Sequence, residues 1–151
     1  MDTQVIRLCL YLHAPVEVEW RALTDPDTTA RYWDGTRLES SWQPGEPLLY
    51  RRHGEVTDVH TLVDVQPPHK LVHSFHPVME AFRHELPSRV QIHLLGHQGV
   101  TRLDLQHDQF APHSAVYAAC SQGWPLILSS LKTLLETGQP LPAWPGSASI
   151  G

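Results

Sequence analysis

SAVYAACSQGWPLILSSLKTLLETG, residues 114–138, is the stretch whose reading decides the fold. From Cys120 onward, Trp124, Ile127, Leu128, Leu131, Leu134 and Leu135 recur at spacings of three and four. That spacing is one apolar stripe of an α-helix. Ser121, Gln122, Ser129, Ser130, Lys132, Thr133 and Glu136 fill the other side. Gly138, just past the stripe, reads as a left-handed stop, and Pro140 and Pro142 prevent resumption. Pro125 lacks the N–H that would bond the Ser121 carbonyl, so a kink or restart is expected there. Some twenty helical residues span roughly 30 Å. A helix that long, apolar on one side only, needs one broad surface to lie on.

The preceding chain supplies that surface. Residues 5–12 alternate Ile6, Leu8, Leu10 and Leu12 with Arg7, Cys9 and Tyr11, the pattern of a half-buried strand. Ala14-Pro15 opens a short helix with Val16, Trp20 and Leu23 on one face and Glu17 and Glu19 near its positive end. Asp25 caps a second short helix with Pro26 in its first turn. Almost everything after it reads as strand: 36–41, 47–52, 56–66, 70–76, 89–95 and 100–108. Parity places Leu48 and Tyr50 on one face, as it does Leu71, His73 and Phe75, then Val90, Ile92 and Leu94, then Thr101, Leu103, Leu105 and His107. In 56–66 it places Val59, Thr61, Val63 and Val65 inward and Asp58, His60 and Asp64 outward. Seven short strands, each apolar on one face, describe an antiparallel sheet covered on one side. The expected class is α+β: a curved seven-stranded antiparallel sheet around a long C-terminal helix, with two short helices after the first strand.

Composition narrows the function. The chain has 151 residues and a formal net charge of −5, enough for a single domain with a real core. Its 11 Lys and Arg are scattered, which argues against a nucleic-acid partner. No apolar run approaches the ~18 residues of a membrane span, and no basic-then-apolar leader opens the chain, so a cytoplasmic protein without membrane insertion is expected. Cys9 and Cys120 read as two buried free thiols. Residues 142–151, rich in Pro, Gly and Ser, read as a loosely ordered tail.

Several segments together carry a family resemblance. They are Trp20-Arg21-Ala22-Leu23-Thr24-Asp25-Pro26 with Arg31-Tyr32-Trp33, then Glu39-Ser40-Ser41-Trp42-Gln43-Pro44-Gly45, then Arg51-Arg52-His53-Gly54-Glu55-Val56. Pro67-Pro68-His69-Lys70-Leu71-Val72-His73-Ser74-Phe75-His76 and Gly123-Trp124-Pro125 follow in the same order. The chain resembles the bacterial SRPBCC (START-like, helix-grip) proteins grouped with the activator of heat shock protein 90 ATPase. The resemblance covers Val5 to Pro142, within the one domain expected over residues 1–151, and implies a cavity between sheet and helix for a lipid-like or aromatic molecule. It does not imply one activity, because the superfamily includes co-chaperone domains, lipid carriers and cyclases.

The residues themselves point to binding more than to catalysis. None of the 11 histidines shows HExxH or HxH spacing, and neither cysteine sits beside one, so no metal and no other cofactor is expected. Every strand aspartate falls on the outward parity, which leaves no inward carboxylate for acid–base work. The candidate ligand-binding residues are Trp33, Trp42, Tyr50, Thr61, His73, Phe75, Phe82, Leu103, His107, Trp124 and Leu128. His73 and His107 are either hydrogen-bonded core residues or polar handles for a ligand. The tryptophans either pack the core or line a cavity mouth. Residues 77–87, PVMEAFRHELP, are either a plain excursion or a lid over a pocket. The partner expected first is a small hydrophobic molecule. The alternatives are an interaction protein with a chaperone or a second copy as partner, and a cyclase or hydrolase using the inward histidines.

Overall fold

The computed structural model describes residues 4–144. The element order is β1 (Ile6–Leu12), α1 (Val16–Thr24), α2 (Pro26–Tyr32), β2 (Arg37–Ser40), β3 (Pro47–Arg52), β4 (Glu55–Gln66), β5 (Lys70–Phe75), β6 (Ser88–His97), β7 (Val100–Asp108) and α3 (Ala115–Thr137). The strands form one sheet in the order β1-β7-β6-β5-β4-β3-β2, and every neighbouring pair is antiparallel. The expected helix-grip architecture is therefore present. The tail expected to be loose lies, from residue 145 on, outside the described residues.

Local chemistry explains the boundaries. Asp25 accepts from the Thr28 backbone N–H at 3.1 Å, with Pro26 in the first turn of α2. Asp25→Ala should therefore cost ~1 kcal/mol in urea denaturation, and Asp25→Asn much less; equal losses would show that the side-chain cap contributes nothing. α3 starts at Ala115 rather than Cys120, because Ser114 accepts from the Tyr117 N–H at 2.9 Å. Gly138 ends it at φ 86°, a conformation that suits glycine. Pro125 does not break the helix. Its ring lies on the exposed side, while Trp124 and Leu128 are buried to either side of it and hold both halves to the sheet. Gly96 lets α1 approach β6: a Cβ there would stand 3.0 Å from the Val16 Cβ.

The inner face matches the expected parity in β1, β3, β5, β6 and β7. β4 corrects it. Leu62 pairs with His73, but Asp64 pairs with Val72, so Val63 is an extra residue. One inserted residue exchanges the faces of everything before it. Asp58, His60 and Leu62 therefore point inward, while Val59, Thr61 and Val63 are exposed. After the bulge Val65 packs against the core, as the alternation from the Val65 end requires. Cys9 is a second correction, since its thiol lies on the exposed face of β1 and only Cys120 is buried.

Candidate functional site

The sheet, the end of α2 and the inner face of α3 bring six of the expected side chains together. Trp33 lies 5.2 Å from Tyr50 and 5.6 Å from Trp124, ring centre to ring centre. Phe75 sits 4.7 Å from His107, 6.2 Å from Tyr50, 6.3 Å from Trp124 and 6.5 Å from His73. Most of these pairs are edge-to-face or tilted, as ring quadrupoles favour. Leu103 and Leu128 are buried in the same core. None of these eight residues exposes more than 4% of its surface, so the protein's own rings occupy the space between sheet and helix where a cavity was expected, which counts against a preformed ligand cavity there. Trp42 and Phe82 pack against the margin of this core and remain half-buried. Thr61 is not part of it: the bulge at Val63 turns it to solvent.

Two histidines in the cluster are hydrogen-bonded and neutral. The Trp124 indole N–H, which can only donate, bonds His107 Nδ1 at 3.0 Å, so the His107 proton is on Nε2, 2.7 Å from Ser88 Oγ. Burial pushes the His107 pKa down to about 3. His73 donates Nδ1–H to the Ser74 carbonyl at 2.7 Å, and burial lowers it to about 4. Both are therefore hydrogen-bonded core imidazoles in this arrangement.

The bulge adds residues that alternation missed. His60 is fully buried, stacked on Phe75 at 4.5 Å and edge-on to Tyr50 at 4.4 Å. Its Nδ1 accepts the His76 backbone N–H at 2.9 Å, which places its proton on Nε2. That Nε2 faces Asp58 Oδ2 at 3.5 Å, too long for a hydrogen bond. Asp58 is only 2% exposed, and burial raises its pKa to about 6 against the opposing pull of Thr57, Arg52 and His76. The Tyr50 hydroxyl, Asp58 Oδ2 and His60 Nε2 are buried without hydrogen-bond partners. An inward carboxylate is present after all. The sequence signal for it was the adjacent apolar pair Leu62-Val63, which strict alternation cannot place.

Residues 77–87 cover this end of the core. Pro77 bridges Asp58, and the Val78 N–H bonds the Thr57 carbonyl at 3.0 Å. The far end is tied to α3 by Glu85, whose carboxylate accepts from Ser114 Oγ at 2.5 Å and from the Ala115 and Val116 N–H groups at 2.7 and 3.3 Å. A carboxylate is well placed at a helix N-terminus, where backbone donors are otherwise unsatisfied. Val78 and Met79 are partly exposed and Leu86 is 82% exposed.

This sheet, long helix and two-helix insertion can be set against known proteins. A family model described as "Activator of Hsp90 ATPase homolog 1-like protein" matches residues 13–136. The chain belongs to this family. Among solved structures, CalU16 from Micromonospora echinospora shares 23% identity at a TM-score of 0.71, covering 93% of this chain and 78% of that one. The Aha1 dimer from Colwellia psychrerythraea shares 20% at 0.72, covering 89% and 98%. PFC0360w, described as an HSP90 activator from Plasmodium falciparum, shares 20% at 0.72, covering 90% and 97%. At such identities the likeness shows the fold. No curated protein matches the chain. Among the described residues no three His, Cys, Asp or Glu side chains converge as a metal site requires, and no helix is long and apolar enough to cross a membrane.

Proposed function

We propose that this family member binds a small hydrophobic or aromatic molecule between its sheet and α3, admitted by movement of residues 77–87. The observation that supports this reading is how that segment is held. Its outer end is tied to α3 by one carboxylate, and its only ring against the core, Phe82, is half-buried. Releasing the three charge-assisted hydrogen bonds of Glu85 costs about 5–9 kcal/mol. Burying an aromatic ligand of 150–250 Å² returns about 4–6 kcal/mol. Binding therefore requires that the segment re-form its contacts with α3 once a ligand ring has exchanged for the ring contacts that fill the interior.

A hydrophobic fluorescent probe should bind the folded protein at about one site per chain. Phe75→Leu or Trp124→Leu should shift its affinity about tenfold, or ~1.4 kcal/mol. Arg102→Ala, on the outer face, should leave it unchanged, and all variants must be compared while folded. Probe binding that ignores both inner substitutions and responds to outer ones would defeat the reading. Native mass spectrometry of the purified protein would reveal a co-purifying ligand and the number of chains together.

The family description favours a second reading, an interaction protein that activates a chaperone ATPase. Stimulation of a purified Hsp90 ATPase that survives Trp124→Leu would support it, because the partner would then read the surface and not the interior.

A further inference from the structure

The geometry points to a hydroxyl group as what the interior recognises: we infer that Tyr50, Asp58 and His60 form a polar subsite for a neutral hydroxylated aromatic molecule. This rests on the interior-binding reading above and adds the ligand's chemistry to it. All three side chains are at least nine-tenths buried, and each carries a polar atom without a hydrogen-bond partner. Such atoms are costly inside a protein, and three in one place call for a common partner.

Their roles fix that partner. The His76 N–H occupies His60 Nδ1, so Nε2 can only donate. Asp58 Oδ2, 3.5 Å from it, presents an acceptor. The Tyr50 hydroxyl can do either. Tyr50 and Asp58 are direct cross-strand partners in the β3–β4 ladder, and His60 follows on the same face. A donor and an acceptor side by side are both met by a single oxygen that accepts and donates, which is a ligand hydroxyl standing where a water oxygen would otherwise bridge them. A carboxylate would meet repulsion from Asp58. An ammonium can only donate and would leave His60 Nε2 unmet. A plain hydrocarbon would leave all three unmet. Trp33, Phe75 and Trp124, whose rings pack with Tyr50 and with one another in the free protein, would move apart to take the aromatic body. Access follows residues 77–87, whose first residues pair with Thr57 and Asp58, so displacement of that segment opens the subsite itself.

The test compares 2-naphthol, naphthalene and 2-naphthoate on the full chain by fluorescence titration. 2-Naphthol should bind at least tenfold tighter than either of the others. Tyr50→Phe and Asp58→Asn should each remove most of that preference while leaving naphthalene affinity within about twofold. Tyr50→Phe removes an unpartnered hydroxyl, so the free variant should melt at or above the temperature of the parent. A lower melting point would show that the hydroxyl already has a structural partner, and would overturn the subsite. If naphthalene and naphthol bind equally, the subsite fails while interior binding stands. If none of the three binds, both fail.

Discussion

His107→Gln should cost about 3 kcal/mol less stability at pH 4 than at pH 7, because one pKa unit is worth about 1.4 kcal/mol. Burial holds the folded-state pKa of His107 at about 3, against 6.5 when exposed. Above pH 6.5 both states are neutral and the imidazole carries no penalty. As pH falls from 6.5 toward 3, the unfolded chain takes up a proton that the folded chain refuses, and stability is lost. Glutamine does not titrate, and its amide can still accept from the Trp124 indole N–H and donate to Ser88 Oγ, so only the packing cost remains at both pH values. The comparison must be made between variant and parent. In the parent, His73 and His60 add to the acid loss, while Glu19 and Asp58, both raised by burial, work in the opposite direction. These contributions are common to parent and variant and cancel in the difference. A pH-independent difference in urea denaturation would mean that water reaches His107 and that this core opens easily.

The elements set by local chemistry were legible in the sequence. The stripe from Cys120 to Leu135, the Asp25 cap and the alternation of β1, β3, β5, β6 and β7 each depend on residues close in sequence, and each is found. What escaped depends on register. Val63 is one residue, but its insertion opposite β5 exchanges Asp58 and His60 for Val59 and Thr61 on the inner face. Period-two reasoning assumes no insertion, and nothing local in 56–66 says on which side of the Leu62-Val63 pair the phase changes. The same step decides the proposed subsite, because its donor and acceptor are the two residues the bulge turns inward. Tyr50 and Phe75 were legible from strand parity and Trp124 from the helical stripe, whereas Trp33, at the end of α2, was read only from its place beside the first β connection.

Glu19 escaped for a different reason, and it carries the largest expected effect. It lies three and four residues before Ala22 and Leu23, on the face of α1 that is buried, yet a glutamate early in a helix reads as a dipole partner facing water. Its side chain is fully buried and neither carboxyl oxygen has a hydrogen-bond partner. The nearby Tyr32 hydroxyl donates instead to the Ala22 carbonyl, at 2.9 Å. Burial raises the Glu19 pKa from 4.5 to about 8, so the group is held protonated at neutral pH. Below pH 4.5 both folded and unfolded chains carry the proton, and stability is unaffected. As pH rises from 4.5 to 8 the unfolded chain releases its proton while the folded chain keeps it, and up to about 5 kcal/mol of stability is lost. Glu19→Gln keeps the shape of the neutral acid and cannot ionise. It should be nearly neutral at pH 4.5 and stabilising by about 4 kcal/mol at pH 8.5, read from urea denaturation at the two pH values. Equal effects at both would show that the carboxyl ionises normally in the folded protein, which requires either water or a cation at the α1 face. Growth of the difference with pH would show that the fold tolerates a buried, unpaired acid only by keeping it neutral.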